Sequence, residues 1–214
     1  MSPGSGQIQE WLLGFDAREL SLDVEREWDV SRRGLYLLRE DVRKPLSVDT
    51  AVWPSLFGEG LAASGSGWRG PNWPLWDDLE RMRGGLASLG TVREAPHELI
   101  AVSWFWDGRP PEGSWPGGPY RERMMPPTRE EGWRFLGFDI ADGGFISGLT
   151  NCGYTGSDTP ALRRQWAGHL NEHHLLRELE QALVFRDLSD RRVPEHAPFF
   201  VFGLWLISPC VVNR

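Results

Sequence analysis

The stretch Pro198-Phe199-Phe200-Val201-Phe202-Gly203-Leu204-Trp205-Leu206-Ile207 constrains the fold more than any other part of the chain. Side chains of a strand alternate between the two faces of its sheet. Here both sets are apolar, so neither face is suited to water. The pattern predicts a strand in the middle of a sheet, buried on both sides. The run is also well short of the ~20 apolar residues that a membrane span needs, and no other run comes closer.

A central strand needs partners. Residues 98–106 form a second apolar run, Glu98 to Trp106. Residues 133–140 alternate as a half-buried strand, with Trp133, Phe135 and Gly137 on one side and Arg134, Leu136 and Phe138 on the other. Asp142-Gly143-Gly144 is good hairpin-turn chemistry, with 145–149 as the returning strand. Residues 10–24 and 34–39 read as further short strands.

Two helices complete the pattern. Leu75, Leu79, Met82, Leu86 and Leu89 recur at helical spacing over 75–89, interrupted by Gly84-Gly85. Thr159 and Pro160 suit a helix start, and Leu162, Trp166, Leu170, His173, Leu176, Leu179 and Leu183 continue the period to about Asp187. Strands dispersed among two principal helices predict an α+β fold. We expect a mainly antiparallel sheet, covered mainly on one side, within a single domain over residues 1–214 that carries long Gly/Pro/Trp-rich loops.

Charge narrows the function. The chain has 30 acidic and 23 basic residues, a net charge of −7, which argues against nonspecific binding to nucleic acid. Seven acids lie between Glu10 and Asp29 against Arg18 and Arg26, a local charge of −5. Such a stretch is either a solvated face or a docking surface for a basic partner. The N-terminal MSPGSGQIQE has neither the basic nor the apolar region of a secretory signal. With only Cys152 and Cys210, the expected setting is a reducing cytoplasm.

Residues 53–74 are rich in Gly, Pro and Trp, too long for a simple connection and hence a candidate functional element. The chain has 12 tryptophans, a residue favoured at interfaces. If a partner binds here, Trp53, Trp68 and Trp73 are the candidate anchors, with Glu25, Glu27 and Asp29 steering a basic protein toward them.

Residues able to carry chemistry are few. His169-Leu170-Asn171-Glu172-His173 matches the H-x-x-E-H letters of inverzincin peptidases, and on a helix the two imidazoles would share a face. No third ligand is evident, so neither zinc nor any other metal is expected. Asp139 and Asp142 are explained by turn chemistry. Cys152 reads as a packed thiol, and His196, between Pro194 and Pro198, as a loop residue bonding backbone. An alternative groups Asp139, Asp142, Cys152 and His196 as the site of a small enzyme or small-molecule-binding domain. No phosphate-binding glycine motif occurs, and no cofactor is expected.

Three segments carry a resemblance. They are Ala95–Val102, Trp133–Asp142 with Ser147–Tyr154, and Arg192–Phe199. Together they resemble bacterial immunity proteins of polymorphic-toxin systems, including those of type VI secretion. The resemblance covers about half the chain from residue 95 onward and carries no catalytic residues. It implies a cytoplasmic protein that binds and blocks one cognate protein toxin; charge and the lack of a long apolar run separately argue against nucleic acid or membrane as partner.

Overall fold

A computed structural model describes residues 8–19, 45–50, 52–53, 55–57, 75–88, 97–108, 124–127, 129, 131–150 and 159–207. Four strands, β1 (Gln9–Glu19), β2 (His97–Trp106), β3 (Arg134–Ala141) and β4 (Phe200–Ile207), form one sheet in the order β1-β2-β4-β3. All three pairings are antiparallel. Among the described residues, three α-helices accompany them, α1 (Leu79–Ser88), α2 (Thr159–Trp166) and α3 (Leu179–Arg192). The fold is therefore α+β.

The C-terminal apolar run lies where its composition demands, between β2 and β3. Phe200, Phe202 and Leu204 pack on one face with Ile100, Val102 and Trp104 of β2. Val201, Trp205 and Ile207 pack on the other. Contrary to the expectation from sequence, both faces of the sheet are well covered. The first is covered by irregular chain, through Leu46, Val48, Trp53, Phe145 and Leu175. The second carries the helices, with Leu79 and Met82 of α1 toward β1 and Leu162, Trp166, Ala182 and Phe185 of α2 and α3 toward β3. Irregular segments carry too little periodicity to be recognised as a layer from sequence.

Two bulges set which residues face which layer. The register shifts between Leu12 and Gly14 in β1 and between Phe135 and Gly137 in β3. The second corrects the strict alternation expected over 133–140. Phe135 and Phe138 stand on the same face with ring centroids 4.8 Å apart, while Leu136 joins the opposite layer. Both bulges hold a glycine at positive φ, +156° at Gly14 and +141° at Gly137.

Both sheet edges are occupied. Outside β1, Phe15 and Trp76 exchange two backbone hydrogen bonds of 2.8 and 2.7 Å, and Leu12 and Met125 exchange another pair. Outside β3, Phe138 and Leu176 do the same at 2.8 and 2.9 Å, and Gly148 N–H donates to the Ile140 carbonyl. Short bridging segments of this kind use up the donors and acceptors that an edge strand would offer another chain.

The helices begin and end differently from the apolar periodicity. Helix α1 starts at Leu79, because Asp78 caps it by accepting from the Arg81 N–H at 2.8 Å and Trp76 is committed to β1. Gly85 lies against the Trp76 ring, so the lack of a side chain there serves packing. The expected long helix from Thr159 to about Asp187 is two helices joined by a 3-10 turn, Ala167–His169, and an irregular link. Asn171 makes the break. Its Oδ1 accepts from the N–H groups of His173 and Leu175, while Nδ2 donates to the Leu136 carbonyl at 2.6 Å. That competes with helix continuation, as Asn side chains do. The expected strand over 145–149 is instead a set of turns with one bridge, Ala141 to Ser147.

Candidate functional site

The carboxyl end of β3 and the turn after it gather the polar residues singled out in the sequence. Asp142 Oδ1 accepts from the N–H groups of Gly144 and Ile146, at 2.8 and 2.9 Å. This fixes the Asp-Gly-Gly turn and orients the carboxylate. The other oxygen, Oδ2, meets His196 Nδ1 at 2.8 Å. His196 is held from its own side, since its N–H donates to the Val193 carbonyl and the Phe199 N–H donates to Asp190. The imidazole side chain is 33% exposed, against 11% for Asp142. A carboxylate on Nδ1 leaves Nε2 as the nitrogen able to exchange a proton with a visitor. Among the described residues, no hydroxyl or thiol hydrogen-bonds that nitrogen.

Asp139 is three residues away in sequence but in a different environment. It is fully buried. Its carboxylate accepts from Ser47 Oγ at 2.5 Å, Ser147 Oγ at 2.7 Å, Val48 N at 2.9 Å and Ile140 N at 2.8 Å. Burial pushes its pKa up to about 6 against the pull of these donors. Asp49 adjoins, accepting from the Ser147 N–H at 3.2 Å.

On β1, Asp16 and Arg18 point into the same layer. Both are fully buried and their side chains meet at 2.7 Å. Arg18 also donates to the carbonyls of Trp53 and Val48 and lies over the Trp53 ring, 5.7 Å from its centroid. Asp16 accepts from Ser55 Oγ at 2.7 Å and the Ala17 N–H at 2.8 Å. Burial raises Asp16 to about 6 and outweighs the opposing pull of Arg18. Burial likewise lowers Arg18 despite Asp16, Asp49 and Asp139 around it. The arrangement pins residues 45–50, 52–53 and 55–57 onto the sheet, with both charged groups buried.

Several expectations change here. Trp53 is 2% exposed and inside the core, because Arg18 and the surrounding apolar cluster claim its ring and carbonyl. It is a packing residue, not a surface anchor. Trp68, Trp73, Glu25, Glu27, Asp29, Cys152 and Cys210 lie outside the described residues. The acidic stretch from Glu10 is not wholly a surface, since Asp16 is sealed and Glu10 pairs with Arg129. His196 bonds a side chain as well as backbone.

The His169–His173 motif does not lie on one helix. His169 ends the 3-10 turn and His173 sits in the Asn171 turn, so the four-residue spacing no longer places two imidazoles on one face. Among the described residues, no group of three or more His, Cys, Asp or Glu side chains is placed to hold a metal ion. No helix among them is long and apolar enough to cross a membrane.

No protein-family model, curated protein or solved structure matches the chain.

Proposed function

We propose that the chain is an immunity-type binding protein that neutralises a cognate bacterial toxin in the cytoplasm by direct contact. The observation that carries this reading is the use made of the polar residues in the segments bearing the resemblance. Asp139 and Ser147 are spent in the interior, and Asp142 and His196 are spent on each other and on a turn. Residues of this type that hold architecture, with no nucleophile bonded to them among the described residues, suit a protein acting through its surface. The net charge of −7 suits a basic partner, approached quickly and selectively. The occupied sheet edges favour recognition through side chains over strand addition.

A second reading is favoured by one contact only. The Asp142–His196 pair has the orientation of a general base, and a small enzyme would use Nε2 as proton acceptor.

The test is co-production. Cells making the toxin encoded beside this chain's gene should grow when the chain is present and die when it is not. Equal death in both cases rejects the proposal.

A further inference from the structure

Asp139 is a buried carboxylate that forms no ion pair with a cation among the described residues. Its four partners are all neutral donors, and they come from three parts of the chain, namely the 45–53 cover (Ser47, Val48), β3 itself (Ile140) and the turn after it (Ser147). On β4 its register partner is the apolar Phe202. Among the described residues, the charged groups reaching this interior include Asp16 and Arg18 of β1 and Asp49 of the cover. Arg18 is committed to Asp16 and to the carbonyls of Trp53 and Val48, and Asp49 is a like charge. Two of the four donors are hydroxyls, which can accept as readily as they donate. Ser47 Oγ already accepts from the Asp49 N–H at 3.0 Å, and Ser147 Oγ from the Leu149 N–H at 3.2 Å. A proton placed on Asp139 would convert one serine contact from acceptor to donor, so the Asp139–serine bond persists while that hydroxyl's own hydrogen turns away.

We propose that Asp139 is a proton-dependent clasp, which takes up a proton in weakly acidic solution and then holds the 45–53 cover more tightly to the sheet. The sign follows from the two states. In the closed state burial raises the carboxyl to about 6. In the opened state water returns it to the ordinary aspartate range near ~4. Closure is then strongest below the open-state value and weakens as pH rises through the closed-state value. This device is independent of the partner's identity.

Hydrogen exchange of the Val48, Val52 and Trp53 amides tests it, since these bond to Asp139 and to the Asp49 carbonyl. After correction for intrinsic rates, protection should rise about tenfold or more between about pH 7.5 and about pH 5. Asp139→Asn should remove about half of that rise, because Asp16, raised to a similar value by burial, pins the same cover and keeps its own share. Ser47→Ala, which deletes a donor favouring the ionised form, should move the midpoint to higher pH. Flat or falling protection in the wild type, or a full rise in Asp139→Asn, overturns the clasp. Should Asp139→Asn fail to fold, an unshifted midpoint in Ser47→Ala overturns it instead.

Discussion

Asp142 Oδ2 and His196 Nδ1 lie 2.8 Å apart across 54 residues of chain, and the contact fastens the turn after β3 to the loop before β4. On the binding reading it is a fastening and nothing more. His196→Ala should cost about 1 kcal/mol, the net worth of a partly exposed hydrogen bond, and leave toxin neutralisation intact. Chemical denaturation and the co-production assay measure the two effects. Lost neutralisation in a protein that still folds would favour the enzyme.

Arg18 and Asp16 are a buried pair whose energetics are asymmetric. Arg18→Ala strips the guanidinium from Asp16 and from two carbonyls, and should cost about 3–5 kcal/mol. Replacing both, as Asp16→Leu with Arg18→Met, should recover most of that loss, because no uncompensated charge remains. Urea midpoints compare the three proteins. A double variant no better than Arg18→Ala contradicts the assignment.

The β-bulge glycines should not tolerate alanine. At Gly137 a methyl group would lie 2.6 Å from Leu175 Cβ, and at Gly14 it would overlap the Trp76 carbonyl. Each substitution should cost on the order of 2–3 kcal/mol, from crowding and from the positive φ. Gly84→Ala is the control. It faces open space within α1 and should stabilise by roughly 0.5–1 kcal/mol.

Asn171 should matter more than either neighbouring histidine. Asn171→Ala removes two acceptor contacts and one donor contact and leaves the Leu136 carbonyl without that donor. A loss of about 2 kcal/mol is expected, with faster hydrogen exchange over 170–176. His169→Ala and His173→Ala together should cost less than this single change.

The strands were the legible part of the sequence. Periodicity in 98–106, 133–140 and 198–207 located β2, β3 and β4 within two residues of their ends. What escaped was whatever depends on a side chain turning back on its own backbone. The helical period ran unbroken through Leu170, His173 and Leu176, yet the Asn171 amide outcompetes the helix there. The bulge at Leu136 was likewise invisible, since the Gly137 signal reads equally as a weak strand position. For the candidate site, the sequence groups Asp142 with His196 only within a four-residue alternative; their direct contact is set by topology, and Asp139 of the same group lies apart in the interior. The Asp16–Arg18 pair did leave a trace. Two opposite charges two apart in β1 must share a face, and the segment from Leu12 to Ala17 around them is mostly apolar.

A titration of toxin activity tests the binding claim most directly. On the binding reading, a purified toxin that the chain protects cells against is assayed against increasing amounts of the chain. A binding protein must reach full inhibition at a fixed stoichiometric ratio, one chain per toxin in the simplest complex, with the end point unchanged by incubation time and by His196→Ala. Full inhibition by a small fraction of an equivalent, growing with time and abolished in His196→Ala, would contradict neutralisation by contact and assign the chain a catalytic role.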